Sequence, residues 1–168
     1  MPRLMSHAIA FALSVCLATP LFAAGGGGSG GGGDASPSQQ AGPYKDAVDA
    51  IKAQRYAEAI KLLEPWVASN SNDADGHNWL AYAYRKTGKL DPAFRHYKRA
   101  LGLDPQHKGA HEYIGEAYLQ AKQPEKAEEH AKILAQLCPQ SCEELADLRA
   151  AITAYRANGG SRSTAKAP

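Results

Sequence analysis

Long hydrophobic runs are scarce in these 168 residues. The longest, residues 8–18 (AIAFALSVCLA), falls well short of the ~20 apolar residues a spanning helix needs. No membrane span is therefore expected once the leader is cleaved. A strong charge of either sign is also missing, since 19 Lys and Arg face 17 Asp and Glu for a net +2. The two signs alternate along the chain, so neither a nucleic-acid footprint nor a patch for anionic membranes is expected. The motifs G-x-S-x-G, H-E-x-x-H and a Walker loop are all absent. Glycines 25–28 and 30–33 lack the following lysine and flanking strand that phosphate binding requires. Nothing here points to catalysis, and no cofactor is expected.

The ends differ in composition from the middle. A weakly basic start carrying Arg3 precedes the apolar run, and small residues follow it at Ala18, Ala23 and Ala24. That layout is a secretory signal peptide over residues 1–24, and a periplasmic or secreted location is expected. Leu13-Ser-Val-Cys16 approaches a lipobox, but Val15 is bulky and more apolar sequence follows, so no lipid anchor through Cys16 is expected. Residues 25–41 hold 8 of the 16 glycines and read as a flexible linker, because such a stretch has nothing to bury. Residues 158–168 are small and polar and read as a disordered tail.

Between the ends lies a repeat. The clearest copy contains Trp79-Leu-Ala-Tyr-Ala-Tyr84 and runs through Gly88, Ala93, Tyr97 and Ala100 to Pro105. A shift of 34 carries His77 to His111, Leu80 to Ile114, Ala81 to Gly115, Tyr84 to Tyr118, Ala93 to Ala127 and Pro105 to Pro139. The same shift backwards carries Ala93 to Ala59. This period and pattern resemble the tetratricopeptide repeat, a helix–turn–helix unit. The resemblance implies an all-α fold, an α-α superhelix of three repeats. Their bounds are about 42–72, 73–106 and 107–140, with a capping helix over 141–157.

Local chemistry supports two helices per unit. Leu80, Ala81 and Tyr84 form one apolar stripe with His77, and Gly88 suits a helix end. Asp91-Pro92 reads as a cap followed by proline at the first helical position. Pro65 falls inside the second helix of the degenerate first repeat and should bend it. Ser141 with Glu144 reads as a capping box opening the last helix, whose Leu145, Leu148, Ile152 and Tyr155 share a face.

Tetratricopeptide arrays usually bind other proteins in a concave groove lined by the first helix of each repeat. The positions the resemblance implies are Tyr44, Val48 and Lys52; Asn78, Tyr82 and Arg85; and Glu112, Glu116 and Leu119. Tyr44 and Val48 stand where carboxylate-clamp members carry lysine and asparagine, which puts that mechanism in doubt. The function expected is binding of a protein or peptide partner, as an adaptor or assembly factor. Self-association through the N-terminal face with Tyr44, Val48 and Trp66 is the alternative, and thiol chemistry a third.

Cys138 and Cys142 remain after leader removal and suit a disulfide across a short turn in an oxidising compartment. The spacing C-x3-C is not that of thioredoxin-like redox motifs. His107 and His111 share a helix face but have no clear third ligand, so structural roles and no metal are expected. His96 and His130 read as solvated.

Overall fold

A computed structural model describes residues 42–160. The leader, Cys16, the glycine linker and residues 161–168 lie outside the described residues. Among the described residues there are seven helices and no strand. They are α1 (Pro43–Lys52), α2 (Tyr56–Ser69), α3 (Ala74–Lys86), α4 (Leu90–Leu103), α5 (Lys108–Gln120), α6 (Pro124–Leu137) and α7 (Glu143–Ala157). Each helix packs on the next in the chain. In addition α1 touches α3, α3 touches α5 and α5 touches α7, whereas α2, α4 and α6 make no contact with one another. The odd-numbered helices therefore crowd together along one inner face, and the even-numbered ones splay on the outside. That asymmetry gives an α-α superhelix.

The turn inside each helix pair is the same turn three times. Arg55, Lys89 and Gln123 donate backbone N–H to the carbonyls of Ala50, Tyr84 and Tyr118 at 2.8, 2.9 and 2.8 Å. The residue before each adopts a left-handed backbone: φ is 59° at Gln54, 78° at Gly88 and 59° at Lys122. This is a Schellman motif, which satisfies carbonyls that a helix end leaves open. Only the central repeat uses glycine there. Between repeats, Asp73 caps α3 by accepting the N–H of Gly76 at 3.0 Å. His107, 34 residues on, caps α5 by accepting the N–H of Ala110 on Nδ1 at 3.2 Å.

Two local readings need correcting, and the placement of Pro65 inside a helix stands. α4 begins at Leu90 with Lys89 at its N-cap, two residues earlier than Asp91-Pro92 suggested. Proline is tolerated throughout the first turn, where N–H groups have no intrahelical partner, so Pro92 does not mark the start. α7 begins at Glu143 behind Cys142, and no side chain caps it. Ser141 lies outside the helix, within the turn that Cys138 and Cys142 close. α2 continues through Pro65 to Ser69.

The core follows the repeat. Leu63, Leu80, Tyr97, Leu134 and Leu148 are fully buried, at about 1.5–3 kcal/mol for each large apolar side chain. Ala81, Ala93, Ala100 and Ala127 are also fully buried, at positions where backbones approach too closely for a larger residue. Gly115 is the extreme case. A Cβ there would stand 2.7 Å from both methyl carbons of Leu148, so α5 and α7 meet with no room for a methyl group.

Candidate inner-face binding site

The inner face is built by α3, α5 and the start of α7. Its floor is aromatic. Tyr82 and Tyr113 lie 4.8 Å apart between ring centres, and Trp79 lies 5.9 Å from Tyr82 and 6.3 Å from Tyr113. Tyr56 extends the row from α2, 6.1 Å from Tyr82. All four are half-buried. Such rings supply contact area at little entropy cost.

Charge is laid over this floor. The Arg85 guanidinium is buried, pairs with Glu116 at 2.5 Å, and stands 5.1 and 5.8 Å from the ring centres of Tyr82 and Tyr113. Its Nε also donates to the hydroxyl of Tyr97 at 3.4 Å. Glu112 is buried beside it. Burial, with Glu116, Asp147 and Glu144 nearby, pushes the Glu112 carboxyl up to about 8.

A cavity of 380 Å³ opens next to the aromatic floor, lined by Asp75, Asn78, Trp79, His107, Tyr113 and Glu144, among others. Asn78 is only 2% exposed, and its side-chain oxygen has no hydrogen-bond partner. A buried carbonyl left unpaired costs about 1–3 kcal/mol. His107 Nε2 stands 3.0 Å from Asp75 and helps hold that carboxylate well below its usual range.

The comparisons with known proteins now have a setting. A family model described as anaphase-promoting complex, cyclosome, subunit 3 matches residues 52–134. A structure of a MamA mutant is 27% identical with a TM-score of 0.54, covering 56% of this chain and 69% of that one. The first TPR of Spaghetti (RPAP3), bound to an HSP90 peptide, is 20% identical with a TM-score of 0.60, covering 68% of this chain and 90% of that one. The type III secretion translocator chaperone SycD of Yersinia enterocolitica is 18% identical with a TM-score of 0.64, covering 74% and 96%. No curated protein matches the sequence. The matched stretch, the helix pairs and the 34-residue turn agree. The chain is a tetratricopeptide-repeat protein.

The structure distributes the nine groove positions of this tetratricopeptide-repeat protein unevenly. Asn78, Tyr82, Arg85, Glu112 and Glu116 come together at the centre. Tyr44 is buried against Trp66, 5.3 Å between ring centres, and Leu119 is buried in the cluster formed with α6 and α7. Val48 is half-buried and Lys52 exposed, both on α1. Arg85 and Glu116 neutralise each other, so they do not present two separate signs to a partner. Trp79, Tyr113, Asp75, His107 and Glu144 were not among the groove positions expected from the sequence. Trp79 and Tyr113 stand 34 apart, each next to a chosen position, and that equivalence was the available signal.

The reading of His96 and His130 as solvated is overturned. His96 meets His77 and His130 meets His111, Nδ1 to Nδ1, at 2.9 and 2.8 Å. Both are half-buried because each stacks on the tyrosine of its own repeat, Tyr84 or Tyr118. His107 and His111 are occupied separately, the first as a cap and the second in this pair. Cys138 and Cys142 are brought together with Cα atoms 5.7 Å apart, within the range of a disulfide. Among the described residues, no helix is long and apolar enough to cross a membrane.

Proposed function

We propose that this protein is a non-enzymatic adaptor or assembly factor that holds a protein or peptide segment on its inner face, and that it works in the bacterial periplasm. The aromatic row Tyr56, Tyr82, Tyr113 and Trp79 carries the reading. It is half-open, it crosses from the first repeat to the third, and no element of residues 42–160 closes over it. Solved proteins of like fold support it, since one is bound to an HSP90 peptide and SycD is also known with a peptide of the translocator YopD. The leader-like start and the close Cys138–Cys142 pair support an oxidising compartment.

SycD is also described in an alternative dimer, which speaks for self-association. The surface suggested for it here is smaller than the sequence implied, because Tyr44 is buried against Trp66 and Val48 is half-buried. Peptide binding is the reading we retain.

Capture of partners from periplasmic extract, followed by titration of purified protein, tests it. Tyr82→Ala is expected to weaken a true partner by about 1–2 kcal/mol with helicity unchanged. A partner that binds Tyr82→Ala and Trp79→Ala as well as the parent would move the site off this face. Concentration-dependent size in light scattering would instead favour the dimer.

A further inference from the structure

We propose that the segment held on this face is cationic, and that a lysine or arginine side chain of the partner enters the cavity between α3, α5 and the start of α7. The inference rests on the inner-face reading above and specifies its ligand. Four observations converge. Acidic groups converge from three helices, Asp75 on α3, Glu116 on α5 and Glu144 and Asp147 on α7, with Arg85 beside Glu116 and Lys108 on the cavity lining. Arg85 is already used by Glu116, and Lys108 is at the exposed rim.

The cavity, second, offers acceptors in place of donors. The Asn78 oxygen is buried without a partner, and Asp75 and Glu144 line the same cavity. An ammonium or guanidinium is donor-only, so it could satisfy the Asn78 oxygen and a carboxylate together. An incoming carboxylate would meet acceptors and like charge, at a cost of several kcal/mol in a desolvated interface.

Third, the aromatic rings of Trp79 and Tyr113 line the cavity, and an aromatic ring attracts a cation through its quadrupole. Fourth, the face already hosts a cation in this manner. The Arg85 guanidinium lies over Tyr82 and Tyr113 and against Glu116. A second basic side chain one turn away would find the same chemistry unoccupied by any group of residues 42–160.

Fluorescence anisotropy with two extended peptides of about ten residues tests the proposal, one alternating lysine and serine, the other glutamate and serine. The lysine peptide is expected to bind at least about tenfold tighter, with affinity falling as salt rises. The double variant Asp75→Asn, Glu144→Gln should lose about fivefold or more for the lysine peptide while helicity is kept. Equal binding of the two peptides, preference for the glutamate peptide, or no lysine-peptide binding up to about 1 mM would overturn the proposal. If a neutral or acidic segment binds and Tyr82→Ala abolishes it, the inner face stands as the site and only the cationic preference is lost. If neither peptide binds, and a captured natural partner is indifferent to Tyr82→Ala, both fall.

Discussion

His77 and His96 face each other Nδ1 to Nδ1 at 2.9 Å, joining the first helix of the second repeat to its second. His77 Nε2 also meets the carbonyl of Ser71 at 3.3 Å. A carbonyl only accepts, so Nε2 carries the proton of neutral His77 and its Nδ1 is the acceptor; His96 then donates from Nδ1. His111 and His130 repeat the arrangement, with His111 Nε2 donating to Pro105 at 3.0 Å. Each contact needs one donor and one acceptor nitrogen, so protonating both rings of a pair would set two donors and two cations face to face.

A pH dependence follows. Burial first, and then the partner histidine, lowers both His96 and His130 from 6.5 to about 4; burial also lowers His77. The unfolded chain thus takes up protons near 6.5 that the folded chain refuses until about 4. The stability these groups contribute is complete above pH 6.5 and is lost as pH falls toward 4. Acid unfolding followed by circular dichroism should therefore be shallower for the double variant His96→Gln, His130→Gln than for the parent. Identical acid limbs would exclude the pairs as its cause.

Gln54 and Lys122 hold the left-handed position that Gly88 holds in the central repeat. An L side chain pays roughly 1–2 kcal/mol there, partly offset by the larger entropy glycine loses on folding. Gln54→Gly and Lys122→Gly are each expected to stabilise by up to about 1 kcal/mol in urea unfolding. Destabilisation by either would mean that the side chain makes a compensating contact.

Gly115 and Leu148 are coupled through the missing methyl group. Gly115→Ala should destabilise by about 1–3 kcal/mol through overpacking, despite alanine's better helix propensity. Leu148→Val removes bulk at the clash, so the cost of Gly115→Ala should fall in that background. A double-mutant cycle reads the difference, expected at about 0.5–1.5 kcal/mol. Strict additivity would show that α7 simply moves away.

Cys138 and Cys142 should form a disulfide in protein taken from an oxidising compartment. Non-reducing intact mass would then be about 2 Da below the dithiol form, one hydrogen lost from each sulfur as the bond forms. Closing so short a loop gives only about 2 kcal/mol by chain entropy. Two alkylatable thiols in natively purified protein would reject the bond.

Much of this was legible in the residues, and the physical reason is local. A 34-residue recurrence of alanine, tyrosine and a helix-ending residue fixes which stripes must be buried, since each pair of helices hides the same faces. The all-α class and the helix pairs follow from that alone. Exact helix starts did not, because proline and acidic residues are accepted anywhere in a first turn. What lies across from a residue was set by packing between helices that are far apart in the chain. His96 was read as solvated because its own helix offers it no partner; His77, 19 residues earlier, supplies one only after α3 and α4 dock. Arg85 and Glu116 were expected as groove positions, yet they lie on α3 and α5 and spend their charge on each other. The repeat determined which side chains face inward. Only the stacking of one repeat on the next decided that Asn78 would be left with an open oxygen, beside an aromatic wall and in an excess of carboxylates.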